Sequence, residues 1–235
     1  MHLESVTLRP DRFPDPKAYP FCLPVFQSPW TLDLGGRVTI LVGENGTGKS
    51  TLLEAIAHLC RIHIWQTDNR VRYQLNPHEG DLYRHLTVQW SRGPVPGSFF
   101  AGEFFRDFAK LLDEWARADP GLLNYFGGKS LMDQSHGESL MSFFRSRYKL
   151  EGLYLLDEPE TALSPRTQLE LTQLIAGDCS PNAQFLIATH SPMLMACPDA
   201  VLYGFDGERI QHVRYEDTDH FRLYRDFMAA PHRFL

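Results

Sequence analysis

The sequence predicts an α/β domain on a mixed sheet with parallel central strands, carrying an antiparallel β sub-domain and a small helical lobe. Three observations lead there. Apolar, β-branched runs recur at Val38–Val42, Leu153–Leu156 and Phe185–Ala188 with little polar alternation, as parallel strands covered on both faces require. Helical patterns beginning at Lys49 and Ser164 follow the first two runs, which suits right-handed strand-helix-strand crossovers. A glycine-rich turn joins the first strand to its helix.

With 235 residues, 43% hydrophobic and 22% charged, the chain has material for one such domain, 1–235, with the helical lobe at about 103–149 inserted in it. The apolar runs fall far short of the roughly 20 residues that cross a bilayer, and no basic-then-apolar leader opens the chain. A cytoplasmic protein without membrane insertion is therefore expected. Four separated cysteines with no Cys-x-x-Cys pair support neither a zinc site nor a redox motif. A net charge of −6 argues against a broadly basic surface, although Arg61, Arg70, Arg72, Arg84 and Arg92 leave a small local excess over Asp68, Glu79 and Asp81.

From the N-terminus, the proline-rich piece Pro10 to Pro29 excludes regular helix or central strand and reads as a loop draped over the sheet. Tyr19 or Phe21 within it could stack on a base, with core packing the simpler use. Arg37–Val42 is a strand, and Lys49–Ile62 a helix with Leu52, Leu53, Ile56 and Leu59 on one face. Between them Gly43-Glu-Asn-Gly-Thr-Gly-Lys-Ser50 matches G-x-x-x-x-G-K-[ST] in its strand-loop-helix setting. Gly43, Gly46 and Gly48 let the backbone through Asn45 and Thr47 curl, so that successive N–H groups and the helix N-terminus face phosphates. Lys49 is expected to reach the β- and γ-phosphates of ATP and Ser50 to ligate Mg2+, with Thr51 supporting the metal from behind.

The middle of the chain offers antiparallel strand candidates at Arg70–Leu75, Leu86–Trp90 and Ser98–Ala101. Two helices follow: Glu103–Ala118, with Phe104, Phe105, Phe108, Leu111, Leu112 and Trp115 as an apolar stripe read mainly as core, and Leu140–Tyr148. Leu153–Leu156 is a strand ending in Asp157-Glu158, and a buried strand seldom ends in two carboxylates unless its tip faces a cation or a reaction. Taken alone, the pair could be a charge cluster at a helix N-terminus. With the phosphate loop it assigns Asp157 to magnesium and Glu158 to the water that attacks the γ-phosphate. A last helix, Asp219–Met228, is capped by Thr218.

The run Asp157-Glu-Pro-Glu-Thr-Ala-Leu163 resembles the Walker B and D-loop of ABC-type ATPases, and Ile187-Ala-Thr-His190-Ser-Pro192 resembles their switch-histidine strand. Ser135-His136-Gly137-Glu138-Ser139 occupies the place of their signature. The resemblance covers nearly the whole chain and is nearest to the soluble, RecF-like branch and to small stand-alone bacterial ATPases with Ser-His-Gly-Glu-Ser signatures. It implies a P-loop NTPase with an ABC ATPase-type core. It also implies that His190 contacts the γ-phosphate and relays its presence to Glu158. Ser135, Gly137 and Glu138 would meet the nucleotide held by a second copy, so a homodimer forms on ATP binding. Three departures stand out: His136 replaces a signature glycine, Ser164 stands where the D-loop usually has aspartate, and Glu103 takes the position of the Q-loop glutamine, where a carboxylate would act on a magnesium-bound water. The short interval from Gly43 to Asp157 excludes the long coiled-coil arms of chromosome-structuring relatives.

These readings give a soluble ATPase whose ATP-dependent head-to-tail dimer works as a clamp or switch on nucleic acid or on a partner protein, in genome maintenance or phage defence. Two alternatives are the nucleotide-binding subunit of a membrane transporter and an ATP-occupancy sensor with little turnover. Nothing in the sequence names the target.

Overall fold

The computed structural model describes residues 1–64, 76–102, 105–119, 121, 123, 128, 130 and 136–235. In chain order the elements are β1 (Leu3–Leu8), β2 (Trp30–Asp33), β3 (Val38–Gly43), α1 (Lys49–Leu59), β4 (Leu86–Trp90), β5 (Gly97–Ala101), α2 (Phe105–Ala118) and α3 (His136–Arg147). Then come β6 (Gly152–Asp157), α4 (Pro165–Gln173), β7 (Ala183–Ala188), α5 (Pro192–Met195), β8 (Val201–Phe205), β9 (Ile210–His212) and α6 (Asp219–Ala229). Two sheets form: β2-β1-β4, antiparallel, and a six-stranded sheet ordered β5-β6-β7-β3-β8-β9. In the larger sheet only the β8–β9 pair is antiparallel.

The central strands are apolar because both faces are covered. Leu41, Leu155, Leu186 and Tyr203 point to one side, where they pack with Leu52, Leu53 and Ile56 of α1 and with Leu3, Val6 and Leu86 of the small sheet. Ile40, Val42, Leu156 and Ile187 point to the other, where Leu140 and Phe144 of α3, Leu171 of α4 and Leu194 of α5 close a second core. The two-residue period of each strand thus distributes one sheet between two cores. It also sets α1 and α3 on opposite faces.

The expected parallel centre, β6-β7-β3, is present with the crossover helices at Lys49 and after Ser164. Ser164 caps α4 by accepting from the Thr167 N–H, and past Gln173 the helix widens into a π turn, Leu174–Asp178. Thr218 caps α6 in the same way, accepting from Phe221 N–H.

Some expectations need correction. Ser98–Ala101 was expected among antiparallel strands, yet β5 pairs in parallel with β6, from Gly97 opposite Leu153 to Ala101 opposite Asp157, and forms the edge of the main sheet. α1 ends at Leu59 rather than Ile62, and α3 starts at His136 rather than Leu140. The stripe on α2 is only partly core: Leu112 and Ala116 are buried, whereas Trp115 is 44% exposed. Phe104 and the side chains of Phe105 and Phe108 lie outside the described residues, as do the strand candidate Arg70–Leu75, Glu103 and Ser135. The piece Pro10–Pro29 holds two short 3-10 turns and buries Phe21, Val25 and Phe26.

One buried amide joins the two sheets. Gln184 on β7, 2% exposed, accepts from the N–H groups of His2 and Leu3 at 3.0 and 2.8 Å. It donates to the carbonyls of Leu3 and Leu34 at 2.8 and 2.6 Å. Gln184→Leu keeps the volume but strands these buried groups, each worth about 1–3 kcal/mol when left unpaired. We therefore expect a loss of at least ~3 kcal/mol in chemical denaturation, larger than for most single surface changes.

Candidate functional site

The site lies where β3, β6 and β7 end, because parallel strands present their carboxyl ends together and the helices that follow begin there. β3 stops at Gly43 and the chain curls through Gly46 (φ +78°) and Gly48 (φ +100°) into α1. Those angles belong to the left-handed region that glycine enters without cost. A Cβ at Gly46 would meet nothing within 4 Å, so the loop is an open cradle. A Cβ at Gly48 would press on Phe26 and Leu23 of the N-terminal segment at 3.1 and 3.3 Å, which fixes the loop from behind. Asn45 and Gly46 are exposed, Thr47 is half-buried, and the Thr47 hydroxyl donates to Glu44 O at 2.9 Å.

Lys49 is 4% exposed and its Nζ donates to the carbonyls of Gly43 and Glu44 at 2.7 and 2.8 Å. Burial holds its pKa below the usual lysine value, while Glu158, Asp157, Glu44 and Glu160 pull it back up. A cation this buried, ringed by carboxylates and bonded only to its own loop, keeps donor capacity for an anion laid along that loop.

Ser50 Oγ donates to Asp157 Oδ1 at 2.9 Å. Burial pushes the Asp157 carboxyl up to about 7, the Ser50 hydrogen bond opposing it and the neighbouring Glu158 charge adding to it. A half-buried carboxylate next to a serine oxygen is a hard oxygen donor set of the kind that suits Mg2+. The pair opens on a cleft of about 660 Å3 lined by Glu54, Gly102, Glu158 and Thr161 among others. Thr51 is engaged elsewhere: its hydroxyl shares a 2.8 Å hydrogen bond with the hydroxyl of Tyr19. Tyr19 is 44% exposed beside the loop, while Phe21 is wholly in the core.

Glu158 follows Asp157 in a left-handed conformation (φ +43°, ψ +53°), unusual for a residue with a side chain and costing about 1–3 kcal/mol. It is held there from both sides: its N–H donates to Ala188 O at 2.9 Å, and its carbonyl accepts from Thr161 N and Thr161 Oγ1 at 3.1 and 2.8 Å. The turn swings its carboxylate towards His190, whose Nε2 lies 3.5 Å from Glu158 Oε1. That nitrogen is buried and makes no hydrogen bond. Glu160, which sequence reasoning named only as part of the Asp157–Leu163 run, is half-buried; it accepts from His190 N–H and so fixes the backbone just past the tip of β7. Also missed was His220 on α6, whose Nε2 lies 3.1 Å from Nδ1 of His190. Its only sequence signal was its place two residues after the cap Thr218.

Lys49, Ser50, Asp157, Glu158 and His190 are thus brought together by three strand ends. Gly137 and Glu138 stand in the first turn of α3, and a Cβ at Gly137 would sit 3.5 Å from Thr167 Oγ1 near the start of α4.

A family model for an AAA domain matches residues 23–60, and one for an AAA domain described as putative AbiEii toxin, type IV TA system, matches 139–196. The first takes in the phosphate loop, and the second takes in Asp157–Leu163 and Ile187–Pro192. The thiamine import ATP-binding protein ThiQ of Haemophilus influenzae is 30% identical across 74% of this chain and 85% of its own length. The chain belongs to the ABC-type P-loop ATPases. A ThiQ of Ruegeria is 27% identical across 69% of this ATPase and 74% of its own length. In fold, the ATPase resembles the SMC head domain from Thermotoga maritima, with a TM-score of 0.52 at 17% identity, over 91% of this chain and 98% of that one. An SmcHead solved with the C-winged helix domain of ScpA gives 0.56 at 13% identity, over 91% and 98%. ATP binding and hydrolysis are therefore the activity of this chain, and among the described residues no helix is long and apolar enough to cross a membrane.

Proposed function

We propose that the protein is a cytoplasmic, single-domain ATPase that binds ATP with Mg2+ and closes into a head-to-tail dimer, which clamps or releases nucleic acid or a partner protein. The observation that carries this is the convergence of Lys49, the Ser50–Asp157 pair and the Glu158–His190 pair at the carboxyl ends of three strands. The backbone from Gly43 to Ser50 and Lys49 would hold the phosphates, with Asn45, Gly46, Thr47 and Gly48 forming the cradle and Thr51 bracing it. Ser50 and Asp157 would hold Mg2+, which supplies charge neutralisation across the β- and γ-phosphates. Glu158 would accept the proton of the attacking water, and His190 would donate Nε2–H to the γ-phosphate. Glu103 would act on a metal-bound water.

The placement of α1 and α3 on opposite faces of the sheet supports pairing. By the resemblance, Gly137 and Glu138 at the start of α3, with Ser135, would meet the nucleotide of a second copy. Two such contacts close a symmetric pair. The test is solution mass of Glu158→Gln with and without ATP and Mg2+. We expect a monomer without nucleotide, a dimer with it, and reversion when EDTA removes the metal; a monomer under all conditions would overturn the sandwich.

The relationship to thiamine import ATP-binding proteins favours a second reading, the nucleotide-binding subunit of an importer. Recovery of a polytopic membrane protein with the tagged ATPase would establish it in place of the clamp.

A further inference from the structure

The hydrogen bond between His190 and His220 is unexplained by packing. α6 buries none of its residues, so His220 is not drawn inward to fill a core. It is nevertheless half-buried, in the field of Glu44, Lys49 and Asp219, with its Nε2 at 3.1 Å from Nδ1 of His190. Burial lowers the pKa of both rings, which favours their neutral forms, and in the 3.1 Å contact one nitrogen of the pair must carry the shared proton.

The surroundings decide which. His190 Nε2 points to Glu158 Oε1 at 3.5 Å, a carboxylate that only accepts, and in the proposed function it also meets a phosphate, another acceptor. A bare lone pair there would repel both groups. His190 must therefore present N–H at Nε2, which leaves Nδ1 as the acceptor and requires a donor opposite it. We propose that His220 is a positioning residue for ATP hydrolysis: its Nε2–H donates to His190 Nδ1, fixing the tautomer and ring orientation in which His190 Nε2–H faces Glu158 and the γ-phosphate. This deepens the proposed function and rests on its role for His190. It makes the C-terminal helix part of the catalytic apparatus although no residue of α6 touches the reacting atoms.

Two variants of the full chain separate positioning from bulk. His220→Phe keeps a ring and removes the donor; His220→Gln restores an N–H near the position of Nε2. Turnover of Mg·ATP by His220→Phe should fall about tenfold or more in kcat, as for a misplaced catalytic group, with KM within about twofold of the parent and an unchanged melting temperature. His220→Gln should return to within about threefold of the parent. Nitrogen-15 NMR of the nucleotide-free parent should show His190 protonated at Nε2 and bare at Nδ1, and His220→Phe should show both tautomers. Parent-like kcat in His220→Phe, equal damage in His220→Gln, or a proton on His190 Nδ1 in the parent would overturn the inference. Failure of the underlying reading would look different: the parent itself would not hydrolyse ATP, or Glu158→Gln would hydrolyse it normally, while the NMR experiment would still report on the histidine pair.

Discussion

Replacing Glu158 by Gln should lower kcat by roughly 10²- to 10⁴-fold and leave ATP binding intact. The amide preserves the shape of the side chain and its left-handed backbone, held by Ala188 and Thr161, so the change would remove the proposed proton acceptor without disturbing the turn. It also removes a negative charge beside Asp157 that helps to lift that carboxyl. Phosphate release and fluorescent-nucleotide titration measure the two effects separately. A rate within about tenfold of the parent would take Glu158 out of the proton-acceptor role.

Lys49→Ala should weaken ATP binding by about 10- to 100-fold, the range expected from losing charge-assisted hydrogen bonds worth about 1.5–3 kcal/mol. The side chain bonds to Gly43 and Glu44 carbonyls, and nucleotide would exchange those weak dipolar partners for phosphate oxygens. The variant also leaves Asp157, Glu158 and Glu160 without the buried cation that faces them, so repulsion within the cleft adds to the loss. Lys49→Arg should rescue poorly, because a planar guanidinium does not fit a position shaped for a compact ammonium buried in the loop. Calorimetric titration with ATP checks both variants, and unchanged affinity in Lys49→Ala would remove the lysine from the phosphate site.

The parts legible in the sequence are those whose cause is local. Gly43 to Ser50 is a contiguous run whose conformation depends on its own glycines, and strands β3, β6 and β7 announce themselves by apolar runs that only a doubly covered sheet tolerates. What failed depended on partners far along the chain. Gly97–Ala101 has the composition of any strand, and nothing in it says that its neighbour is Leu153–Asp157 in parallel. β1 and β2, which the sequence reading left out, carry polar residues on their open side and frame a proline-rich segment. Gln184 reads against burial, yet it is buried because the N-terminal strand and the Leu34–Gly36 turn converge on it. Trp115 fits the stripe of an amphipathic helix, but a stripe specifies a face and not what covers it. His220 lies thirty residues after His190, and only the approach of α6 to the end of β7 brings the rings together.

That approach has a cost in persistence. α6 rests on α5 and the turn before it, its cap and a Tyr215–Phe221 ring contact anchor the first turn, and Leu223, Tyr224 and Met228 remain more than half exposed. Helices held so lightly open and close on their own, at the low end of a protein's range of local free energies, while strands such as β3 and β7 open only with the whole domain. With His220 positioning His190 as proposed, the orientation of that ring would inherit the lifetime of its neighbour: opening of the first turn of α6 would release His190 to rotate.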